Sequence, residues 1–406
     1  MKDSGIKDVS NSVKWVGVLD EDIVTFDIVM ETRHGTTYNS FFIDADKKTL
    51  VETTKEKFSD VYLEKIKQLT PLEDISYIVL NHTEPDHSGN LKNLLKHAPD
   101  AVVVGTGQAL NYIKEMTDAS FESIKVKDGD TLDLGNKTLR FIGAPNLHWP
   151  DSMYTYLEDE KVLFTCDSFG AHYCHEEMYN DKVGDYSEAF DYYFDVILKP
   201  YSKFMLKAID KIKPLDIDVI CPGHGPILRS NPMTIVEKTE KLSRAYLDSF
   251  DSEKRNILIT YVSAYGYTGH MAKRIAEGIR EHTGELNVDV VDIENILPGD
   301  LEEKIVKASA ILVGSPTINQ NTLLPVYKLF ALINPIRDKG KLAAAFGSYG
   351  WSGEAVGIIE SQLKNLKLNV ISEGLAEKFK PYEPKASKFY DFGKSFAIEM
   401  MAEKTK

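Results

Sequence analysis

A short loop near residue 85 constrains this chain more than any other feature of its sequence. The stretch Asn81-His82-Thr83-Glu84-Pro85-Asp86-His87 places two imidazoles and two carboxylates within six consecutive residues. The apolar, β-branched run from Ile75 to Leu80 before it predicts a buried strand, and residues 90–97 after it predict a helix. The cluster therefore lies at the carboxyl end of a strand, where α/β folds place their chemistry, and it predicts a metal site.

Length and charge narrow the class of protein. With 406 residues the chain is long for a single hydrophobic core, so two domains are expected. Apolar residues make up 43% and charged residues 27%, which are ordinary values for a globular protein. Lys and Arg total 48 and Asp and Glu total 62, which gives a formal net charge of −14. A protein this acidic is not expected to bind nucleic acid or an anionic membrane surface.

The N-terminal residues and the cysteines predict a cytoplasmic protein. Residues 1–13 are polar and lack the apolar core of a signal peptide. No apolar run approaches the roughly 20 residues needed to span a bilayer. The cysteines are Cys166, Cys174 and Cys221, an odd number with no C-x-x-C spacing. This pattern fits a reducing compartment and excludes a rubredoxin-type iron site within the chain, because that site needs four thiolates.

The hydrophobic pattern divides the chain into two predicted domains, residues 1–252 and 253–406. The first begins with short strand-like runs at residues 15–19, 23–29 and 37–43, followed by strands and helices from Ile75 onward. The polar segment from Asp248 to Asn256 contains the predicted boundary. In the second domain five strands alternate with five helices, which is typical of a flavodoxin-like doubly wound parallel sheet.

Four strand ends in the first domain carry side chains that can bind metal. Besides the loop described above, they are followed by His148, Asp167 and His224. If these strands are neighbours in one sheet, their ends converge. A lone histidine or aspartate at such a place is more often structural, but four histidines and three carboxylates favour two metal ions that share one carboxylate. His172 and His175 are interpreted either as partners of the ligands or as surface residues.

This arrangement resembles the metallo-β-lactamase fold, an αββα sandwich whose usual ligand loop reads H-x-H-x-D-H. Here Glu84 occupies the position of the second histidine, and this additional oxygen ligand favours iron or manganese over zinc. With an appended flavodoxin-like domain, the motifs resemble those of the flavodiiron protein family over nearly the whole chain. They are His82-Thr83-Glu84-Pro85-Asp86-His87, His148-Trp149-Pro150-Asp151-Ser152-Met153, Asp167-Ser168-Phe169-Gly170 and Gly223-His224-Gly225-Pro226.

The resemblance implies a role for each matching residue. One iron would be bound by His82, Glu84 and His148. The other iron would be bound by Asp86, His87 and His224, and Asp167 would bridge the two. Some family members have a histidine at the position of His87 that does not bind metal.

Three loops of the second domain predict an FMN site. They follow its first, third and fourth strands, at the edge where FMN binds in this topology. The first loop, residues 263–268, offers hydroxyls and backbone amides to a phosphate at a helix N-terminus and contains no Lys or Arg. Singly the loops are weak signals, because turn chemistry and packing favour the same residues. The predicted FMN contacts are Ser263, Ala264, Tyr265, Gly266, Tyr267, Thr268, Ser315, Pro316, Thr317, Ile318, Asn319, Ser348, Tyr349, Gly350, Trp351 and Gly353.

The family resemblance also implies a reaction. An external donor such as rubredoxin or a reductase would reduce FMN, and FMN would reduce the diiron site, which converts O2 to water, NO to nitrous oxide, or both. It implies a head-to-tail homodimer, alone or paired into a dimer of dimers, that joins the FMN of one subunit to the diiron site of the other. Two alternatives stay open: a dinuclear metal hydrolase on the same scaffold, and an FMN electron carrier or sensor without catalysis at the metal site.

Overall fold

The computed structural model describes residues 5–26, 30–248 and 255–402. The chain forms two compact units, Met1–Leu247 and Asp248–Lys406. The boundary predicted between residues 252 and 253 lies outside the described residues. Within the described ranges, no helix is both long and apolar enough to cross a membrane.

The first unit is built on two β-sheets. The larger sheet has seven strands, in the spatial order Lys7–Asp8, Val13–Trp15, Phe41–Ile43, Lys48–Val51, Ile75–Val79, Val102–Thr106 and Ser123–Val126. The smaller sheet has five, in the order Thr131–Asp133, Thr138–Gly143, Met153–Leu157, Val162–Cys166 and Val219–Pro222. Two short pairs lie beside them, Val18–Asp20 with Thr36–Tyr38 and Thr25–Phe26 with Met30–Glu31.

Alternation along the strands divides the buried side chains between two cores. Val79 and Phe164 belong to the core between the two sheets. Their neighbours Ile78 and Leu163 belong to the core that the helices cover. The sheets are therefore the inner layers and the helices the outer layers, which confirms the predicted αββα sandwich. The α-helices of this unit are Ser59–Lys67, Pro85–Ser88, Leu91–His97, Gly107–Met116, Ser187–Tyr193, Ser202–Ile212 and Met233–Asp248, with a π-helical turn at Phe194–Leu198.

The N-terminal strands are more fragmented than the sequence predicts. The run 15–19 is broken, since Val13–Trp15 and Val18–Asp20 belong to different sheets. Gly17 lies at the break, where a Cβ atom would be 2.4 Å from the Tyr38 carbonyl oxygen, so the two backbones approach too closely for any side chain. Of the predicted run 23–29, residues 27–29 lie outside the described ranges.

The second unit is a parallel sheet covered by helices on both faces. Its strands follow the spatial order Leu286–Asp292, Arg255–Tyr261, Ala310–Gly314, Leu342–Tyr349 and Asn369–Val370, with Leu375–Lys378 also paired to Leu342–Tyr349. The helices are Tyr267–His282, Pro298–Lys307, Leu324–Leu332, Glu354–Asn365 and Ser387–Ala402. The order 2-1-3-4-5 confirms the predicted flavodoxin-like topology. The last strand position is shared by two short segments, of which the sequence pattern predicts only the first.

Candidate metal and flavin sites

The predicted metal ligands converge, although the strands before them belong to two sheets and not to the single sheet that would have brought their ends together most simply. Ile75–Val79 lies in the seven-stranded sheet, whereas Thr138–Gly143, Val162–Cys166 and Val219–Pro222 lie in the five-stranded sheet. The ligand-bearing loops therefore meet across the sandwich. Facing sheets stack about 10 Å apart, so loops that follow strands of both layers can enclose a small site.

A first group joins His82, Glu84 and His148 to Asp167. The His82 Nε2 atom is 3.2 Å from Glu84 Oε2, and the His148 Nε2 atom is 3.1 Å from the same oxygen. Both nitrogens are 3.5 Å from Asp167 Oδ2. One ligand atom of each of the four residues lies within 4.8 Å of the others, which is close enough for one cation to contact all four.

A second group joins Asp86, His87 and His224 to the other oxygen of the same aspartate. The Nε2 atoms of His87 and His224 lie 3.4 Å and 3.2 Å from Asp86 Oδ2. They lie 3.1 Å and 3.5 Å from Asp167 Oδ1. The two oxygens of Asp167 thus face one group each, which is the geometry of a carboxylate that bridges two cations.

Buried carboxylate oxygens without hydrogen bonds indicate that cations fit these groups. Among the described residues, both Asp86 carboxylate oxygens and Asp167 Oδ2 are buried without a hydrogen-bond partner. Burying a carboxylate oxygen without a partner is costly, and buried charges are normally paired or bind metal. The donor set contains only imidazoles and carboxylates, a combination suited to iron or manganese.

The backbone at the end of strand Val162–Cys166 directs Asp167 into the site. Cys166 has φ +47°, in the left-handed region that non-glycine residues rarely adopt. Both residues are almost fully buried. Such strain persists where the surroundings hold it in place, and here the strained residue immediately precedes the shared carboxylate.

Opposite charges dominate the electrostatics of the site. Burial alone would lower the pKa of His87, but Asp86 and Asp167 raise it to about 10. Burial also opposes ionisation of Asp167, yet the charge and hydrogen bond of His87 and the charge of His82 hold the pKa of that carboxyl well below its usual range. The Asp167 carboxylate therefore remains ionised, as metal binding requires.

Two outer contacts orient the histidines, and neither was assigned a role from the sequence. His82 Nδ1 lies 3.2 Å from Asp151 Oδ1, and Thr83 donates to Asp151 Oδ2 from its backbone nitrogen at 2.8 Å. His224 Nδ1 donates to the Thr37 carbonyl oxygen at 2.6 Å. Each contact turns Nε2 toward the carboxylates. Asp151 belongs to a motif visible in the sequence, whereas a backbone carbonyl such as that of Thr37 leaves no sequence signal.

A second layer of aromatic side chains borders Asp167 and His224. The Tyr193 hydroxyl donates to Asp167 Oδ1 at 3.3 Å, and burial raises the pKa of that hydroxyl well above its usual range. His172 is buried 5.0 Å from the His224 ring, with Nδ1 2.8 Å from Thr36 Oγ1. His175 is only partly buried, and its Nδ1 accepts from the Glu177 backbone nitrogen at 3.1 Å. Of the two histidines left open by the sequence, only His172 contacts a predicted ligand.

The three predicted flavin loops come together at the carboxyl edge of the second unit's sheet. The Thr268 and Ser348 hydroxyl oxygens are 3.0 Å apart. The Thr317 backbone nitrogen donates to the Ser348 carbonyl oxygen at 2.8 Å. Ser348, from the third loop region, therefore contacts Thr268 from the first and Thr317 from the second. Thr268 lies in the first turn of helix Tyr267–His282 and Ser348 near the end of strand Leu342–Tyr349, and both are buried at this contact.

The first flavin loop has the form of an anion site, and aromatic rings lie exposed near it. Gly266, with φ +77°, caps the 16-residue helix Tyr267–His282, and the Gly269 backbone nitrogen in its first turn donates to Ser263 Oγ of the loop at 3.3 Å. Tyr265 and Trp351 are 80% and 82% exposed, so neither side chain packs in a core. The remaining predicted contacts lie in the same three loops, with Ala264, Ile318, Asn319 and Gly353 exposed and Pro316 and Ser315 buried.

Comparison with known proteins identifies the family. The model of the ODP family beta lactamase matches residues 36–225 and the flavodoxin model matches residues 259–389. The chain is 40% identical over 394 residues to flavo-diiron protein FprA2 of Clostridium acetobutylicum, spanning 96% of this chain and 98% of that protein. It is 35% identical over 381 residues to the anaerobic nitric oxide reductase flavorubredoxin of Shigella dysenteriae, spanning 92% of this chain and 78% of the relative.

Solved structures agree with these relatives. The rubredoxin oxygen:oxidoreductase of the anaerobe Desulfovibrio gigas has a TM-score of 0.71 at 27% identity, covering 99% of this chain and 100% of that chain. The flavodiiron protein of Giardia intestinalis has a TM-score of 0.67 at 29% identity, covering 98% and 97%. The chain therefore belongs to the flavodiiron protein family, as its motifs predict.

Proposed function

We propose that this protein is an oxidoreductase that reduces O2 to water, NO to nitrous oxide, or both. The observation that carries the proposal is the placement of Asp167, whose two oxygens each face a separate group of ligands. When bound, FMN would supply one-electron and two-electron transfer, and a non-haem diiron pair would bind and reduce the diatomic substrate. Relatives named for nitric oxide reduction and for oxygen reduction support both substrates.

The proposed iron ligands are the seven residues of the two groups. His82, Glu84 and His148 would hold one iron, Asp86, His87 and His224 the other, and Asp167 both. The buried oxygens of Asp86 and Asp167 that have no hydrogen-bond partner among the described residues support this assignment. Asp151 and Thr37 would keep the Nε2 atoms of His82 and His224 free for metal by accepting from their Nδ1 atoms.

The residues around the pair would control protons and solvent. Tyr193 stays protonated because it is buried, so it donates a hydrogen bond to Asp167 rather than adding a charge. His148 and Glu84 are the most exposed of the seven ligands, with side chains 21% and 12% accessible. Small molecules are therefore expected to approach from the side of these two residues.

The proposed FMN site comprises the three loops of the second unit. Ser263 and Thr268 would bind the phosphate with neutral donors at the helix N-terminus. Tyr349 and Trp351 would border the ring system, and their loop is held against the others through Ser348. The other predicted contacts, from Ala264 to Gly353, belong to the same three segments of the chain. Each of them is proposed to contact FMN.

Composition and gas consumption distinguish the proposal from its two rivals. Purified protein is expected to be yellow from FMN, to contain two irons per chain, and to consume O2 or NO when supplied with reduced rubredoxin. The variant in which His82 and Glu84 are both replaced by Ala should keep FMN and lose gas consumption. Colourless protein with two zinc ions would favour a hydrolase, and gas consumption that persists in this variant would favour catalysis by FMN alone.

The proposed partners are a separate electron donor of the rubredoxin kind and a second copy of the chain. The given sequence has three cysteines, all of them free, which is fewer than a four-thiolate iron site needs, and this supports a separate donor. Free cysteines also suit a reducing compartment, and the cytoplasm is the proposed location. A head-to-tail dimer is proposed because each chain carries its two sites in separate compact units, and electron transfer weakens steeply with distance.

The proposed dimer makes turnover depend on protein concentration. Specific O2 or NO consumption should fall as the protein is diluted through the dimer dissociation range, because the proposed electron transfer runs from the FMN of one subunit to the diiron site of the other. Light scattering at each concentration gives the fraction of dimer for comparison with activity. A monomer that retains the full specific activity would rule out transfer between subunits.

A further inference from the structure

His87 differs from two other predicted ligands in what its second ring nitrogen contacts. The Nδ1 atoms of His82 and His224 face Asp151 and the Thr37 carbonyl. The Nδ1 atom of His87 is buried and, within the described ranges, has no hydrogen-bond partner. Its Nε2 atom faces Asp86 and Asp167, so an acceptor for Nδ1 must lie on the opposite side of the ring.

Glu52 places a buried carboxyl group close to this ring. Glu52 Oε1 accepts a hydrogen bond from the Asn81 backbone nitrogen at 2.7 Å. Glu52 Oε2 is buried and, like His87 Nδ1, lacks a partner among the residues described. Three ligand-type atoms lie within 4.8 Å of one another here, one each from Glu52, His87 and Cys166.

The backbone around Glu52 holds it against His87. The next residue, Thr53, donates to the His87 carbonyl oxygen from both its backbone nitrogen, at 2.7 Å, and its hydroxyl, at 2.6 Å. Glu52 itself has φ +61°, a conformation that costs free energy for a glutamate. On another side of the ring, a Cβ atom at Gly223 would lie 2.7 Å from His87 Cε1, so the imidazole has little room to leave its position.

We propose that Glu52 is a positioning residue that accepts the Nδ1–H of His87 and so keeps its Nε2 lone pair directed at the second iron. A metal-bound imidazole needs an acceptor for its remaining N–H, and carboxylates serve this purpose in many metal sites. Glu52 then decides whether His87 is a ligand. This inference rests on the proposed diiron function.

Replacing Glu52 by Gln tests the inference with almost no change in shape. The Gln Oε1 atom keeps the Asn81 hydrogen bond, which turns the amide NH2 toward His87 Nδ1. A donor at that place favours the tautomer with the proton on Nε2, which cannot bind metal. We expect the affinity for the second Fe2+ to fall about 10- to 100-fold, as for other outer partners of metal-bound histidines.

Two measurements on the FMN-containing protein, stripped of iron, separate the possible outcomes. An anaerobic Fe2+ titration against a chromogenic chelator gives both dissociation constants. Proton NMR of the Fe2+-loaded protein reports the exchangeable N–H of each bound histidine, and Glu52→Gln should show one signal fewer. Wild-type protein that binds fewer than two Fe2+ would refute the proposed function itself. If Glu52→Gln binds two Fe2+ with the dissociation constants of the wild type and shows the same number of N–H signals, only the role of Glu52 would be refuted.

Two further variants make the test specific. Because Glu52 acts through His87, combining Glu52→Gln with His87→Ala should weaken Fe2+ binding no more than His87→Ala alone; additive losses would overturn the inference. Tyr62→Phe removes a buried hydroxyl that contacts the Glu52 carbonyl at 3.4 Å but leaves the carboxylate intact. It should bind Fe2+ as wild type does, and a loss equal to that of Glu52→Gln would place the effect in the fold of the segment rather than in the carboxylate.

Discussion

Replacing Asp167 by Ala is expected to remove both irons and gas consumption together. Among the described residues, Asp167 is the one whose oxygens face both ligand groups, so its loss opens two coordination positions and leaves neighbouring imidazoles without their counter-charge. Loss of an outer partner alone weakens metal binding about 10- to 100-fold, so loss of a shared ligand should exceed roughly 100-fold at each position. Iron content after dialysis and O2 or NO consumption measure the effect.

Asp216→Ala is the matched control for this prediction. Asp216 lies in the same unit, but its side chain is 73% exposed and forms an ion pair with Lys161 on the surface, where ion pairs contribute little. The control should retain two irons per chain and full activity. An Asp167→Ala protein that keeps one tightly bound iron would show that this carboxylate serves a single metal position, contrary to the bridging assignment.

Replacing Gly347 by Ala is expected to release FMN. The added Cβ atom would lie 2.3 Å from the Ser315 carbonyl oxygen and 3.1 Å from Val356 Cγ2, and the backbone oxygen has no freedom to move aside. Overpacking of this kind costs about 1–3 kcal/mol. Because this overpacking pushes apart the loops that Ser348 holds together, FMN affinity should fall roughly 10- to 100-fold. Fluorescence titration of the FMN-free protein with FMN measures the change.

Gly357→Ala tests whether any added methyl group has the same effect. Gly357 lies within helix Glu354–Asn365, and a Cβ atom added there would meet no other atom within 4 Å. Alanine favours a helix interior over glycine by about 1 kcal/mol, so this variant should be slightly more stable and bind FMN normally. Wild-type FMN affinity in Gly347→Ala would mean that the apposition of these loops does not form the flavin site.

Much of the fold is predictable because its elements have strong local patterns. In the second unit every predicted helix and strand is present, since each buried strand is a short apolar run between amphipathic helices. The strand Leu375–Lys378 is missed because it is short and ends in charged residues. The N-terminal strands are predicted less well, because their breaks depend on close contacts such as that between Gly17 and Tyr38.

The metal site shows the same division. The loop from His82 to His87 can be recognised from the sequence, because four residues of metal-ligand type lie within six positions. The partners that orient these ligands do not, because they are distant in the chain: His82 and Asp151 are 69 residues apart, and His224 and Thr37 are 187 apart. Glu52 likewise has no motif around it, and only its burial beside His87 suggests a role.

The sequence by itself determined which chemical groups this protein can bring to its sites, two metal positions rich in carboxylates and three neutral flavin loops. Residue types and their order after strands are local properties, so they can be interpreted without a fold. Only the tertiary structure decided that the ligand-bearing strands belong to two sheets, that each Asp167 oxygen faces a different group, and that His87 and Glu52 are neighbours. These relations depend on how side chains pack across the sandwich, and packing between distant segments is not encoded in any single stretch of sequence.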